Sequence, residues 1–302
     1  MLNVYEQVDS NKRKSLLVMI VFTVFVAGFA YILGEASGYG LSWVGLALIF
    51  SGLMSYISYY FSDKIILGLA GAREANRQKD FLFYTVAENL CLAAGLPKPK
   101  LYVIEDTATN AFATGRDPQH AVICATSGLL AKLDRTELEG VIAHELSHVG
   151  NFDMRLMSIV TVMVGTVTLL ADWFLRSTFF GRNHSDNKDN NQLQLVMFCA
   201  GLVLALLSPL IANLIKLAIS RRREFLADAS AVKLTRFPDG LIRALKKIDS
   251  DKEPLEVANK ATAHLYITNP LKNRHDSIGW FSGLFNTHPS IKDRVEALAQ
   301  MS

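Results

Sequence analysis

The chain is poor in cysteine. Cys91, Cys124 and Cys199 are its only three, widely spaced and with no C-x-x-C pair. That excludes a disulfide framework and a cysteine zinc site, and it fits a reducing compartment. Charge is also scarce: only 20% of residues are Asp, Glu, Lys or Arg, and the net charge is +3. So small an excess, with no RNA- or DNA-binding signature, leaves no nucleic-acid partner to expect. There is no internal repeat and no low-complexity tract, so neither a repeat array nor a biased linker organises the chain.

What is present is apolar. Half of the 302 residues are hydrophobic, and the mean hydropathy of +0.23 is unusual for a soluble chain of this length. The apolar residues concentrate in four segments: 16–33, 41–61, 156–175 and 195–215. A bilayer core takes ~20 apolar residues as a helix, so each is a candidate span. Asp172 near the end of the third and Pro209 within the fourth are tolerated in membrane helices. The first pair is too long and uniform for a soluble core. For the second pair, a buried hairpin packed against a domain at the membrane surface stays open. The first apolar run exceeds a signal-peptide h-region and no A-x-A site follows, which predicts an uncleaved anchor.

Basic residues flank these segments and orient them, because basic loops stay in the cytoplasm. Lys12, Arg13 and Lys14 precede the first span, Lys64, Arg73, Arg77 and Lys79 follow the second, and Arg221, Arg222 and Arg223 follow the fourth. The expected order is an N-terminal hairpin over 1–61, a cytoplasmic part over 62–155, a second hairpin over 156–219 and a second cytoplasmic part over 220–302. Within the first cytoplasmic part, residues 81–94 carry helical spacing and stop at Gly95-Leu96-Pro97. Residues 101–104, 111–114 and 121–125 read as short strands.

The chemistry-bearing motif is His144-Glu145-Leu146-Ser147-His148. On a helix, residues i and i+4 share a face, so the two imidazoles can close on one metal ion while Glu145 holds a water as general base. Local signals support a helix: Thr136 with Glu139 forms a capping-box pattern, and Asp134 is a second N-cap candidate. Two histidines four apart around a glutamate are hard to explain as packing. A third ligand is needed. The extended HExxHxxGxxH route fails, since Asn151 and Met154 stand where Gly and His are required. Glu224 is the best candidate, with Asp228 four residues on and on the same face. Asp228 would accept the N–H of a ligating histidine, His144 first. Ordinary pairing of both acids with the neighbouring arginines is the plainer alternative. Asn151 and Asp153 read as caps or braces for the motif helix. Asn110, Ala111 and Phe112 are candidates for an exposed strand edge that would pair with an extended peptide, and a plain structural strand is the alternative.

Four motifs stand in order: Asn110-Ala111-Phe112-Ala113-Thr114-Gly115, His144-Glu145-Leu146-Ser147-His148, Arg222-Arg223-Glu224-Phe225-Leu226-Ala227-Asp228, and Thr287-His288-Pro289-Ser290. With four hydrophobic segments around them, the chain resembles the HtpX family of bacterial inner-membrane zinc metalloproteases, whose wider family includes the CAAX prenyl proteases. The resemblance implies an α+β membrane protein, with four transmembrane helices and a zincin-like (gluzincin) cytoplasmic metalloprotease domain. It implies one Zn2+ per chain on His144, His148 and Glu224, with Glu145 as catalytic base. Polypeptide substrates, chiefly misfolded or damaged membrane proteins, and the lipid bilayer are the implied partners. A functional partnership with other membrane quality-control proteases is also expected. His288 is a candidate oxyanion donor by resemblance, with Arg294 as another; His288 could equally cap the final helix. A CAAX-type protease and a non-catalytic scaffold or holdase are the rival readings. Segment 268–287 reads as a membrane-dipping loop or part of the substrate groove.

Overall fold

The computed structural model describes residues 4–36, 42–180, 221–251, 253–256, 262, 265–268 and 289–301. Two long helices open the chain, α1 (Val4–Ala36) and α2 (Ser42–Leu69). Their stretches Val8–Ile32 and Val44–Leu69 are long and apolar enough to cross a membrane. Large apolar side chains point outward from both, among them Val24, Ile32, Leu46 and Ile49. An exposed apolar surface of that extent needs a nonpolar solvent.

A short strand, β1 (Arg73–Glu74), leads into helix α3 (Phe81–Ala94). That helix ends where the sequence predicts, on Gly95 in the left-handed conformation, φ 63°. Strands β2 (Lys100–Ile104), β3 (Ala111–Gly115) and β4 (Ala121–Thr126) follow. The sheet order is β1-β2-β4-β3; β2 runs parallel to β4, and the other two pairings are antiparallel. Side chains alternate between two buried layers, as the strand period of two dictates. Ala111, Ala113, Ile123 and Val103 face a core shared with α3 and the helices below. Phe112, Val122, Cys124 and Ile104 face a second core with residues of α1 and α2. The second face of the sheet is therefore covered by the C-terminal end of α2 and by the helix that begins at Asp153.

Helices α4 (Ser127–Lys132) and α5 (Arg135–Gly150) come next. The capping box of α5 is built on Asp134 and Glu137, not on Thr136 and Glu139. The Thr136 hydroxyl instead donates to Asp134 Oδ1 at 2.7 Å. Asp134 is the residue with extended backbone (ψ 174°) and so can cap. Helix α6 (Asp153–Phe180) contains the third apolar segment in one continuous run. Leu156, Ile159, Val160 and Met163 are buried against α1, α2 and the sheet. Segment 195–215 lies outside the described residues. Helices α7 (Arg221–Thr235), α8 (Pro238–Ser250) and α9 (Ile291–Ala299) close the fold. Helices α5 and α8 approach closely at Gly140, where a Cβ would lie 2.8 Å from the Leu241 backbone.

Candidate active site

Helix α5 carries His144, Glu145 and His148, and α7 carries Glu224 and Asp228; all five are buried. One donor atom from each of His144, His148 and Glu224 falls within a set spanning 4.8 Å. The two Nε2 atoms are 3.2 Å apart. His144 Nε2 is 3.7 Å from Glu224 Oε2, and His148 Nε2 is 3.6 Å from Glu224 Oε1. A tetrahedral zinc with Zn–N bonds of ~2.0–2.1 Å has ligand-to-ligand edges of about 3.3 Å. The three side chains already stand at that spacing.

Each imidazole is held by a carboxylate on its other nitrogen. His144 Nδ1 lies 2.9 Å from Asp228 Oδ1. His148 Nδ1 lies 3.1 Å from Asp153 Oδ2. With each Nδ1 turned to a carboxylate, the two Nε2 atoms meet 3.2 Å apart beside Glu224. The donor set of two imidazoles and a carboxylate fits a divalent metal.

Electrostatics follow from burial. Burial pushes the Glu145 carboxyl above the ordinary range, against the opposing pull of His144 and His148. Asp228 would also rise on burial, but the Arg294 guanidinium and His144 hold it below the usual carboxylate value. Asp153 is held low against its burial by His148 and Arg223. Burial alone would lower His148, yet the hydrogen bond to Asp153 and the charges of Glu224, Asp153 and Glu145 push it up to about 9 in the metal-free protein.

A family model described as Peptidase family M48 matches residues 78–302. The chain belongs to peptidase family M48. As such it is a metalloprotease, and two of its helices are long and apolar enough to cross a membrane. It is 43% identical over 297 residues to the Protease HtpX homolog of Dictyoglomus thermophilum, covering 98% of this chain and 94% of that one. It is 41% identical over 306 residues to the Protease HtpX homolog of Streptococcus pneumoniae, covering 98% and 99%. Among solved structures, the fold is similar to S. mikatae Ste24p, with a TM-score of 0.50, 19% identity, and coverage of 97% of this chain and 67% of that one; this likeness is one of fold.

Several site residues of this M48 chain escape a linear reading. Asp153 is no mere brace: it lies against His148 where the chain breaks its helix between α5 and α6. Phe152 takes a left-handed backbone there, φ 59°, a conformation that is rare for an aromatic residue. Its ring is held between Lys12 Nζ at 4.7 Å and the Arg155 guanidinium at 4.9 Å. Asp153 is itself gripped from two sides. Asn11 of α1, buried, donates through Nδ2 to Asp153 Oδ1 at 2.7 Å and to the Asn151 carbonyl at 2.9 Å. Arg223 of α7 donates to the same Oδ1 at 3.0 Å. The first membrane helix therefore reaches the shell around the motif.

Arg294 sits on the Nδ1 side of His144, opposite the metal-facing nitrogen. It donates to both oxygens of Asp228, at 2.8 and 2.6 Å. It supports Asp228 from behind, and its Nη1 also lies 3.7 Å from Glu224 Oε2, so it reaches a candidate metal ligand as well as the partner of His144. His288 lies outside the described residues. Among the described residues the arginine beside both acids is the distant Arg294, which pairs with Asp228 and lies 3.7 Å from Glu224 Oε2, while Arg223 serves Asp153.

Strand β3 is a sheet edge, as expected of Asn110, Ala111 and Phe112, but it is not exposed: all three are buried. Residues 265–268 lie along it. Ile267 N–H donates to the Ala111 carbonyl at 3.0 Å, and Asn110 Nδ2 donates to the Thr268 carbonyl at 3.2 Å. Leu265 and Ile267 close over His144, Glu145, His148 and Glu224, leaving about 10 Å³ beside them, room for about one water. Of segment 268–287, only Thr268 is among the described residues.

Proposed function

We propose that this M48 protein is a zinc-dependent endopeptidase of a bacterial inner membrane, with its site on the cytoplasmic side. Its substrates are misfolded or damaged membrane proteins, and it works alongside other membrane quality-control proteases in envelope or heat stress. The observation that carries the reading is the triangle of His144 Nε2, His148 Nε2 and Glu224 at 3.2–3.7 Å, with Glu145 buried beside it.

His144, His148 and Glu224 would hold zinc, Asp228 and Asp153 fixing the tautomers of the two imidazoles. Bound zinc supplies Lewis acidity toward a water and a scissile carbonyl. Glu145 takes the proton from that water and returns it to the leaving amine. An extended substrate would align on β3 at Asn110, Ala111 and Phe112, which requires residues 265–268 to move off the edge. Met157 lines the site, and Leu265 and Ile267 close over it until substrate displaces them.

Four crossings, two by α1 and α2 and two by segments 156–175 and 195–215, return both halves of the site to one side. A zincin-like domain then spans the parts on either side of the second hairpin. The basic residues Lys12 to Lys14 and Arg221 to Arg223 support the cytoplasmic orientation.

The experiment is Glu145→Gln in the purified full-length chain. Zinc should be retained at wild-type level, and cleavage of an unfolded polypeptide should fall by roughly 10²–10⁴-fold. Wild-type cleavage should stop with a chelator and return with zinc. Near-normal cleavage by the pure variant excludes Glu145 as the base.

A further inference from the structure

A band of cation–aromatic pairs crosses the molecule where the membrane helices meet the soluble domain. Lys12 stands over Phe152, Arg155 over Phe152 and Tyr59, Arg116 over Tyr60 and Lys64 over Phe61, at 4.7–5.4 Å. These pairs come from α1, α2, α6 and the β3–β4 turn. Aromatic rings with basic side chains collect at the level of phospholipid headgroups, because each has an apolar body and a polar or charged tip. The band therefore marks the bilayer surface on the structure.

A cavity of about 300 Å³ opens in that band, lined by Tyr56, Tyr60, Lys64, Lys100, Arg116 and His120, with Asp63 and Phe61 at its side. Its lining sets the cations Lys64, Lys100 and Arg116 against one carboxylate, Asp63. Arg116 and His120 share Asp117. Lys64 and Lys100 are exposed, and neither has an ion-pair partner among the described residues. Two exposed lysines from different parts of the chain, neither engaged in an ion pair among the described residues, converge on one cavity. Above it, α2 presents Leu46, Ile49, Leu53, Tyr56 and Tyr60 outward, 67%, 71%, 55%, 55% and 42% exposed. At spacings of three and four residues they form one stripe down the helix, which ends at Lys64.

We propose that this cavity is a binding site for the phosphate headgroup of an anionic phospholipid. The acyl chain lies along the α2 stripe, and Lys64, Lys100 and Arg116 take the phosphate. The stripe distinguishes a lipid from a free phosphate, since a soluble anion would leave it unused. The inference rests on α1 and α2 lying in the bilayer and not on the catalytic reading.

The test uses the full-length chain carrying Glu145→Gln, purified in mild detergent, with native mass spectrometry counting bound lipid. Phosphatidylglycerol should bind at one per chain in preference to phosphatidylcholine. Lys64→Gln with Lys100→Gln should weaken it on the order of 10–30-fold, as expected for two cations near an anionic headgroup. Lys246→Gln with Lys292→Gln, which removes equal charge elsewhere, should leave it unchanged. Lys100→Glu alone, at an exposed position, should also weaken binding and guards against misfolding of the double variant. Zinc content should stay constant throughout. Equal retention of both lipids, or equal retention by the charge-removed and parent proteins, overturns the site. Displacement of the lipid by millimolar glycerol phosphate would make it a phosphate site and overturn the lipid assignment.

Discussion

The chemistry is set by what stands behind each imidazole. Asp228 and Asp153 fix His144 and His148, and Arg294, Asn11 and Arg223 fix the two carboxylates in turn. Carboxylates that hold ligating histidines tune metal affinity by ~10–100-fold. Asp153→Asn should therefore weaken zinc binding within that range, measured by competition with a chromophoric chelator. Asn11→Leu should weaken it less while leaving α1 in the membrane. Unchanged zinc affinity in Asp153→Asn would show that the contact at 3.1 Å does not orient His148.

His148 also links metal and proton. Its folded pKa, raised to about 9 from 6.5, means that its contribution to stability is complete below about 6.5. That contribution is lost as pH rises through about 9. Zinc needs the unprotonated ring, so its affinity should rise by about tenfold per pH unit across the same window. Thermal denaturation from pH 6 to 9.5 checks both: Tm of chelated protein should fall and the increment from added zinc should grow. An increment that does not change with pH would contradict the linkage.

At the scale of elements, the decisive relation is between β3 and residues 265–268. The sequence marks 111–114 as a strand by composition, and the structure places it at the sheet edge. Its cover was not legible, because the Ile267–Ala111 hydrogen bond joins positions far apart with no local signal. The same holds for the α5–α6 junction, where a left-handed Phe152 brings Asp153 back to His148 against every propensity for that residue. By contrast, the spacing of His144 and His148, the Glu224–Asp228 pair and the stop at Gly95 are helix-periodic features, legible because a helix has one repeat. If the segment occupies the substrate edge, loosening it should help substrate in. Ile267→Pro removes the N–H that meets Ala111, a bond worth about 0.5–1.5 kcal/mol. The expected result is a severalfold rise in kcat/KM on an unfolded polypeptide, carried by KM. A fall in kcat/KM would assign the segment to substrate binding instead.

Across the whole molecule, one site is assembled from distant parts of the chain. His144 and His148 precede the candidate second hairpin and Glu224 follows it; Asn11 comes from the first membrane helix and Arg294 from the last helix. The amphipathic and apolar patterns disclosed the parts, since burial and lipid contact leave a signature in every residue. Their convergence left a trace only in the chemistry: an HExxH helix lacks one ligand, and a membrane chain must bring that ligand to the same side. Asn11 left none, because a single polar residue beside charged neighbours looks solvated until the fold buries it, and the sequence marks Arg294 for the site but not as the partner of Asp228. The most direct test is the zinc content of the purified full-length protein beside its Glu224→Ala variant. One zinc per chain in the wild type, and loss of zinc in a Glu224→Ala protein that keeps its helix content, is the predicted result. A Glu224→Ala protein that binds zinc as tightly as the wild type would contradict it.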